Sequence, residues 1–582
     1  MNNLEAAWMF NEMADLLEIK GENHYKIRAY RKAARSIANW EESIENLREH
    51  GALQEIPGVG KNIADKLQEM ITTGSCGLLE RLRQEVPQGL LNITQLPGVG
   101  LRTARIIHQH LDIKDLGQLE TAAKEKRIRK LPGLGPKTEL NILRGMEMMR
   151  SQSDTSPLNL ALASAEILVE FVSSLKSIRQ VAIGGSIRRG KDMVGDIDLI
   201  ATAEDRKFVL EAFKKHPHIK EVFNCENNRI EAVTWLGIKA DLSLVEEEEF
   251  VPFLHRCTGS KAHFRKLAEA AAGRDCRLTG REVIAEGRKI PVKDEREIFS
   301  LLGLPYIPPE LREDTGEIEA ALAGRLPVLV DLPDIKGDLH LHSSWSDGIN
   351  TIEELVQAAL ERGYSYLAIT DHSKSLAIAN GLTWERLQAQ WKEIERLRIE
   401  YAPFKILKGL EVDILKDGGL DYDDTVLEQL DLVIASIHTG FKQEPEVLTE
   451  RLTAAINNPY VDIVAHPTGR ILGKRSPYSF DLDRVISIAA ETGTILEINS
   501  SPDRLDLNAE NARLAKEKGV TIAINTDAHD TARLEEMKFG VMTARRGWLE
   551  KQEVLNTYPP EQLMGFLRER REASLSGKGT TK

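Results

Sequence analysis

The sequence predicts a multidomain protein of the α and α/β classes, with a helical N-terminal region, a central mixed sheet and a C-terminal barrel of parallel strands. A chain of 582 residues is long enough for several domains with separate cores. Residues 1–150 have the pattern of helices interrupted by three similar glycine turns. From residue 337 onward, short apolar runs alternate with helical stretches, which is typical of a barrel built from strand–helix units.

Composition excludes some classes of protein. No apolar run approaches membrane-spanning length, and the first 20 residues form an amphipathic pattern without a basic leader, so we expect a cytoplasmic protein without membrane partners. The four cysteines, Cys76, Cys225, Cys257 and Cys276, are far apart, which argues against disulfides and against a thiolate zinc site. The net charge of −13 means that any DNA-binding face must consist of local patches and backbone amides.

The N-terminal region repeats one short turn three times, as IPGVGKNIADKLQEM (56–70), LPGVGLRTARIIHQH (96–110) and LPGLGPKTELNILRG (131–145). In each copy proline ends one helix, and glycines let the chain expose N–H groups where the next helix begins. Such a turn can bind a phosphate without reading a base. One copy could be a plain turn between helices, but three favour helix-hairpin-helix binding of DNA. The glycines concerned are Gly58, Gly60, Gly98, Gly100, Gly133 and Gly135.

The central region contains GGSIRRGKDMVGDID, which predicts a phosphate-binding turn followed by a strand. Gly185 allows the backbone to approach a phosphate, and Ser186 can bond to it. Asp196 and Asp198 are two apart on a strand, so their carboxylates face the same way, and Asp241 lies in a second strand-like run. Three such carboxylates can hold two Mg²⁺ or Mn²⁺ ions around a triphosphate for nucleotidyl transfer. A lone GG or DxD is commonly only a turn or surface feature.

The C-terminal region places nine candidate metal ligands where apolar runs stop. They are His340, His342, Asp347, His372, Glu411, His438, His466, Asp527 and His529. Any one histidine could equally be a buried or capping residue, but the carboxyl ends of parallel strands in a barrel meet at one face. Imidazoles with carboxylates and no thiolates suit Zn, Mn or Fe. The predicted reaction class is metal-dependent phosphoester hydrolysis.

These nine residues resemble the polymerase and histidinol phosphatase (PHP) family over roughly 336–571. The resemblance implies a distorted (β/α)7 barrel with up to three Zn²⁺, Mn²⁺ or Fe ions. It assigns one ion to His340, His342, Glu411 and Asp527, a second to Glu411, His438 and His466, and a third to Asp347, His372 and His529.

The central and N-terminal regions resemble the family X DNA polymerases. The resemblance makes the mixed sheet a nucleotidyltransferase palm, with Asp196, Asp198 and Asp241 as catalytic metal ligands. It also implies nucleotide-binding roles for Gly185, Ser186, Arg189, Gly195, Thr258, Gly259 and Ser260. The first residues look like the eight-kilodalton domain that opens polymerase beta, which implies that Lys66 attacks the sugar of an abasic site and that Lys26 and Tyr30 lie beside the 5′-phosphate. Lys66 could instead be an ordinary exposed helix lysine.

The whole chain is similar to the bacterial family X polymerases (PolX). The resemblance implies a gap-filling DNA repair polymerase with a metal-dependent 3′→5′ exonuclease, acting on gapped or abasic-site DNA and dNTPs. The predicted segments are an eight-kilodalton-like DNA-binding and lyase domain (1–90), helix-hairpin-helix fingers (91–150), the palm (151–250), a thumb-like nucleotide-binding region (251–315), a linker (316–336) and the PHP domain (337–575). The sequence predicts no oligomeric state.

The predicted nucleotide pocket departs from the family at Arg256, Cys257, Phe264 and Ser243. The family commonly has an aromatic pair, an asparagine and an arginine at these positions, so we expect slow extension and poor rejection of ribonucleotides. Two other readings stay open: the polymerase core only binds DNA for the nuclease, or the barrel is a small-molecule phosphatase.

A basic loop after His466 contains Arg470, Lys474 and Arg475 and is predicted to steer the DNA backbone. The alternative is a solvated run of charges.

Overall fold

The computed structural model describes residues 1–577 except 2, 41, 88, 95, 97–98, 137, 141 and 144–154. The N-terminal region is helical, and its apolar helix faces form one buried cluster. Asn23 caps the second helix and Asp115 the eighth, each through a side-chain oxygen that accepts from a backbone N–H. The helices are α1 (Asn3–Lys20), α2 (His24–Ala38), α3 (Ile44–Glu49), α4 (Lys61–Thr73), α5 (Gly77–Glu85), α6 (Gly89–Thr94), α7 (Leu101–Leu111) and α8 (Leu116–Lys124).

The central domain is a mixed sheet in the order β2-β4-β7-β6-β5, in which β4 and β7 are parallel and the other neighbours antiparallel. Its inward-facing residues alternate with exposed ones along the strands, as a half-buried sheet requires. The elements are β1 (Ser156–Pro157), α9 (Leu158–Ser174), β2 (Ile178–Ile183), α10 (Gly185–Arg188), β3 (Met193–Val194), β4 (Asp196–Ala203), α11 (Arg206–Lys214), β5 (Ile219–Glu226), β6 (Arg229–Thr234) and β7 (Lys239–Val245).

A smaller helical and β unit follows and contains a three-stranded antiparallel sheet. Glu295 joins it to the central domain, because its carboxylate accepts from Arg188 at 2.6 Å and from Arg312 at 2.5 Å. The elements are α12 (Phe250–Thr258), α13 (Lys261–Ala272), β8 (Cys276–Leu278), β9 (Val283–Ala285), β10 (Arg288–Ile290), α14 (Glu295–Leu301) and α15 (Glu317–Leu322). The predicted linker, 316–336, is thus partly ordered, since α15 packs into this unit's core.

The C-terminal domain is a barrel of seven parallel strands in sequential order, which confirms the predicted distorted (β/α)7 fold. Buried apolar strands alternate with helices that cover them. The strands are β11 (Gly337–Leu341), β12 (Tyr366–Ile369), β13 (Lys405–Asp413), β14 (Leu432–Ser436), β15 (Ile463–Val464), β16 (Ile495–Asn499) and β17 (Ile522–Asn525). The helices are α16 (Ile352–Glu361), α17 (Trp384–Glu400), α18 (Asp424–Leu427), α19 (Pro445–Ile456), α20 (Leu482–Thr492), α21 (Ala509–Glu517), α22 (Met537–Arg546) and α23 (Pro560–Leu575).

Side chains complete the closure between the first and last barrel strands. The backbone N–H of Leu339 donates to Asn525 Oδ1 at 3.2 Å. Asn556, which is fully buried, donates to the Gly337 carbonyl at 3.0 Å and accepts from Ile524 N–H at 2.7 Å. One asparagine therefore bridges β11 and β17.

The barrel packs on the central domain through a shared apolar core. Leu505 and Phe539 of the barrel belong to the same buried cluster as Leu158 and Ile187 of the central domain. The N-terminal helices contact both domains, since Glu5 pairs with His218 and Asn39 donates to Asp530 at 2.6 Å. Among the residues described, no helix is both long and apolar enough to cross a bilayer.

Replacing Asn556 with alanine is expected to destabilise the barrel by about 2–4 kcal/mol, because Ile524 N–H and Gly337 C=O lose a buried partner. The free energy of unfolding in urea measures the loss. Asn457→Ala is the control, since that exposed asparagine makes one local bond to Thr453. Equal stability of the two variants would contradict the bridging role of Asn556.

Candidate metal and nucleotide sites

The structure brings all nine predicted barrel ligands to the carboxyl ends of the strands. The histidines come from within or just after β11, β12, β14, β15 and β17, and Glu411 lies in β13. Ligand atoms fall into three overlapping groups whose members lie within 4.8 Å of one another: His342, Asp347, His372 and His529; His340, His342 and Asp527; and His372, Glu411 and His438.

Glu411 lies between two of these groups. Its Oε2 is 3.5 Å from Nε2 of both His340 and His342, and its Oε1 is 3.4 Å from Nε2 of His438 and 3.2 Å from Nε2 of His466. Two ligand atoms that share one ion, each at about 2.0–2.2 Å, lie at separations of this order. Each oxygen of Glu411 can therefore face a different cation.

The first group surrounds Asp347. Its carboxylate oxygens are 3.4 Å from Nε2 of His529 and 3.7 Å from Nε2 of His372. His342 belongs to this group and to the second, because its Nδ1 is 3.9 Å from Asp347 Oδ1 and its Nε2 is 3.1 Å from Asp527 Oδ1.

The donor atoms fit metal ions. Nε2 of His340, both ring nitrogens of His342 and Oε2 of Glu411 are buried without a hydrogen-bond partner among the residues described. Leaving such atoms unpaired is costly, and cations would satisfy them. Burial opposes charge at His438, but Glu411 and Asp413 outweigh it and raise the pKa of this imidazole to about 10. A cation must displace that proton.

Two buried carboxylates orient the ligand histidines, and neither was among the residues predicted from sequence. Oε1 of Glu497 lies 2.8 Å from Nδ1 of His340, and Oδ1 of Asp413 lies 2.5 Å from Nδ1 of His438. A carboxylate on the far nitrogen fixes the ring and leaves Nε2 for a metal. The alternation in ILEINS, which places Glu497 on one face of β16 with Asn499, was the available signal.

Arg504 is a further residue that sequence reasoning missed. Its Nε lies 3.8 Å from Asp527 Oδ2, and its Nη1 is buried without a hydrogen-bond partner in the described part of the chain. Its charge also acts on His466, whose pKa is lowered first by burial and then by Arg504. A guanidinium therefore faces the metal ligands.

Arg470 is not placed as predicted. It is 9% exposed, its Nε donates to the Arg504 carbonyl at 2.8 Å, and its Nη1 pairs with Asp192 at 2.9 Å. This side chain joins the barrel to the central domain and is not directed toward solvent. Arg475 is half-buried against Phe441, with 4.3 Å between guanidinium and ring centre, which leaves exposed Lys474 for a DNA backbone.

The second cluster consists of Asp196, Asp198 and Asp241, whose oxygens lie within 4.8 Å of one another. Asp198 and Asp241 are paired in register across the parallel strands β4 and β7. Burial, followed by the charges of Asp196 and Asp241, raises the pKa of Asp198 to about 7. Gly185 must be glycine, because its φ is +62° and a Cβ would lie 1.9 Å from Asp198 Oδ2. The phosphate-binding turn thus meets the carboxylates directly.

Ser243, where the family commonly has arginine, is paired in register with Arg229 of β6. Arg229 donates to Asp241 at 2.7 Å and pairs with Glu231 at 2.9 Å. A guanidinium from the neighbouring strand therefore contacts the third carboxylate.

The predicted nucleotide-binding residues lie in the turn before β4 and at the junction of α12 and α13. Ser186 Oγ is buried and has no hydrogen-bond partner among the described residues. Its hydroxyl could donate to a phosphate oxygen. Arg189 Nη1 donates to the Thr258 carbonyl at 2.8 Å. Gly195 precedes β4, and Gly259 and Ser260 connect α12 to α13, where Ser260 Oγ accepts from His263 N–H.

Two of the residues that depart from the family pattern, Arg256 and Phe264, contact each other. The Arg256 guanidinium lies 4.6 Å from the centre of the Phe264 ring, a cation–π arrangement. Cys257 lies beside Gly184, and burial followed by the Asp198 charge raises the pKa of its thiol to about 11.

The predicted DNA-binding residues of the N-terminal region are divided between surface and core. Lys26 is exposed, and Lys66 is partly exposed, with its Nζ bound to the Asn62 carbonyl at 2.9 Å. Tyr30 is 6% exposed and stacked on Phe10, so the structure places it in the core and not beside a 5′-phosphate.

The hairpin glycines lie at the predicted turns. Gly58 and Gly133 have left-handed φ values of +85° and +74°, Gly60 and Gly100 precede α4 and α7, and Gly135 follows the third turn. Gly98 lies outside the described residues.

Comparison with known families matches most of the chain. Residues 1–76 match a helix-hairpin-helix domain and 90–146 a SAM-like helix-hairpin-helix tandem. Residues 253–313 match the DNA polymerase beta thumb, and 338–501 match the PHP domain. The fold and sites therefore define a polymerase beta-like core joined to a PHP barrel.

Individual relatives extend this result to the full length. The chain is 40% identical over 572 residues to the DNA polymerase/3′-5′ exonuclease PolX of Bacillus subtilis, which covers 98% of this chain and 100% of that protein. It is also 34% identical over 235 residues to a probable phosphatase of Thermoanaerobacter sp., which covers 38% of this chain and 89% of the relative. The chain belongs to the PolX family.

Proposed function

We propose that this protein is a DNA polymerase and 3′-5′ exonuclease in which each activity has its own metal site. The observation that carries the proposal is the presence of two sets of candidate ligands in different domains of one chain. Asp196, Asp198 and Asp241 cluster in the palm, and eight barrel residues cluster in the PHP domain together with His466, whose Nε2 lies 3.2 Å from Glu411 Oε1. The full-length similarity to the Bacillus subtilis enzyme supports both activities.

In the palm, Mg²⁺ or Mn²⁺ would lower the barrier to attack of a primer 3′-oxygen on a nucleoside triphosphate. The chain's own contribution is positioning. Asp196 and Asp198 project from one strand toward Asp241, and Gly185 lets the backbone approach them closely. The hydroxyl of Ser186, which has no hydrogen-bond partner among the described residues, can donate to a phosphate oxygen. Arg229 donates to Asp241 and fixes the position of this carboxylate.

In the barrel, up to three Zn²⁺, Mn²⁺ or Fe ions would activate water and polarise the phosphodiester. His340, His342, Glu411 and Asp527 can hold one ion, His438 and His466 a second with Glu411, and Asp347, His372 and His529 a third. Glu497 and Asp413 keep the imidazoles of His340 and His438 oriented. Arg504, unpaired at Nη1, is placed to bind a non-bridging phosphate oxygen.

Finer assignments are part of the proposal. The helix-hairpin-helix matches support DNA as the partner. The substrates that we propose are gapped or abasic-site DNA and dNTPs. The proposed location is the cytoplasm. Abasic-site cleavage by Lys66 stays a prediction that borohydride trapping with and without Lys66→Ala would check. Weak rejection of ribonucleotides also stays a prediction, supported by the Arg256–Phe264 contact and checked by comparing rNTP with dNTP incorporation.

Two alternatives have a specific basis. The similarity to probable phosphatases suggests a small-molecule phosphatase. Those relatives, however, cover only 38% and 41% of this chain in two examples. Competition between DNA and phosphomonoesters for hydrolysis tests it. A core that only binds DNA is the other alternative, and primer extension decides it.

Asp198→Ala is expected to abolish primer extension on a one-nucleotide gapped duplex and to leave 3′-5′ degradation intact, because the two clusters share no ligand. Glu411→Ala is expected to do the reverse, since it removes the carboxylate that lies within 3.5 Å of both His340 and His466. Gel analysis in Mg²⁺ and in Mn²⁺ resolves both activities. Loss of both activities in either folded variant would contradict the two-site assignment.

Arg504→Ala is expected to lower the rate of exonuclease turnover about 100-fold, as removal of one charged donor from a transition state does. Extension should be unchanged. Arg484→Ala is the matched control, because that exposed arginine of the same domain pairs only with Glu450 in the structure. If the two variants degrade DNA equally fast, Arg504 has no role in binding the phosphate.

A further inference from the structure

The nucleotide-binding turn of the palm lies against helix α22 of the PHP barrel. Gly190, just after Arg189, has a φ of +67°, and a Cβ there would lie 3.2 Å from Cβ of Met542. Phe539, one turn earlier on α22, is buried in the palm's own cluster. The back of the turn therefore packs against the barrel.

Arg189 is held from both sides at this contact. Its Nε donates to Glu313 Oε1 at 2.8 Å, and its Nη1 donates to the Thr258 carbonyl. From the barrel, Nη1 of Arg546 donates to the Arg189 carbonyl at 3.0 Å and to the same Glu313 oxygen at 3.2 Å. The side chains of Arg189, Glu313 and Arg546 are 11%, 14% and 16% exposed. Charge pairs this well buried are weakly screened by salt, unlike surface pairs.

A second barrel arginine holds the end of the same turn. Arg470 pairs with Asp192 at 2.9 Å, and the other oxygen of Asp192 accepts from Met193 N–H at 3.0 Å. Both ends of the segment between Arg189 and Met193 are thus bound to the barrel.

We propose that Arg546 of the PHP domain, acting through Glu313, is a positioning residue for nucleotide binding in the palm. The inference rests on the proposed role of Arg189 in binding the triphosphate. Arg546 donates to the Arg189 carbonyl and to the Glu313 oxygen that also accepts from Arg189. Because two arginines share this carboxylate, its ion pair with Arg189 is weakened. The Arg189 guanidinium is therefore held in one orientation and stays available to a phosphate. The PHP barrel is then a structural part of the polymerase site as well as a nuclease.

Arg545 offers a matched control, because it is the neighbouring residue on α22 and has similar exposure. Its Nε donates to Glu310 at 2.6 Å and its Nη1 to the Val330 carbonyl at 3.0 Å, and these bonds link the domains without touching the nucleotide-binding turn. Arg545→Ala removes a cross-domain ion pair of the same kind, and Arg546→Ala removes one that reaches Arg189.

The test compares steady-state extension of a gapped duplex by the full-length protein and its Arg546→Ala, Glu313→Gln and Arg545→Ala variants. We expect about a tenfold rise in KM for the dNTP in the first two, the effect of one charged hydrogen bond, with kcat changed less. Arg545→Ala should keep the wild-type KM, and all variants should keep wild-type exonuclease rates.

Three results would overturn the inference. An equal rise in KM for Arg545→Ala and Arg546→Ala would show a general effect of docking. An unchanged KM in both Arg546→Ala and Glu313→Gln, with extension still abolished by Asp198→Ala, would refute the role of Arg546 and leave the proposed polymerase function intact. A wild-type protein that extends no primer would overturn the polymerase function and this inference together. If Arg546→Ala does not fold, Glu313→Gln alone decides.

Discussion

The carboxylate of Glu411 lies at the centre of the barrel site because its two oxygens face different histidines, with Oε2 facing His340, His342 and His372 and Oε1 facing His438 and His466. It is 1% exposed, and its Oε2 has no hydrogen-bond partner among the described residues. A buried carboxylate surrounded by imidazoles is stable only if cations or protons compensate it. The same constraint acts on Asp198, whose pKa is raised to about 7 by burial and by its two carboxylate neighbours. Bound cations would therefore stabilise the buried carboxylates of both sites.

The backbone of the barrel is also adapted to these ligands. His466 and Asp527 have left-handed φ values of +31° and +55°, which are unfavourable for residues with a Cβ. The surrounding barrel stabilises these conformations, with Asn556 bridging its first and last strands. Because Phe539 of the barrel is also part of the palm core, the two metal sites belong to one packed assembly.

The sequence predicted that polar residues following parallel strands would meet at one face, because the carboxyl ends of such strands lie together, and the structure places His340 Nε2 3.5 Å from Glu411 Oε2. It failed where burial depends on distant packing. Tyr30 contacts Phe10 in the core, and Arg470 reaches Asp192 of another domain, and local pattern shows neither contact. Arg229 was missed because its partner Asp241 is defined only by the register of β6 and β7.

The most direct test of the account is anomalous diffraction from crystals of the full-length protein soaked in Mn²⁺. The account predicts a manganese peak on each side of the Glu411 carboxylate and another among Asp196, Asp198 and Asp241. Ordered ligand side chains with no peak beside Glu411, and with His340 and His438 hydrogen-bonded only to protein atoms or water, would contradict it.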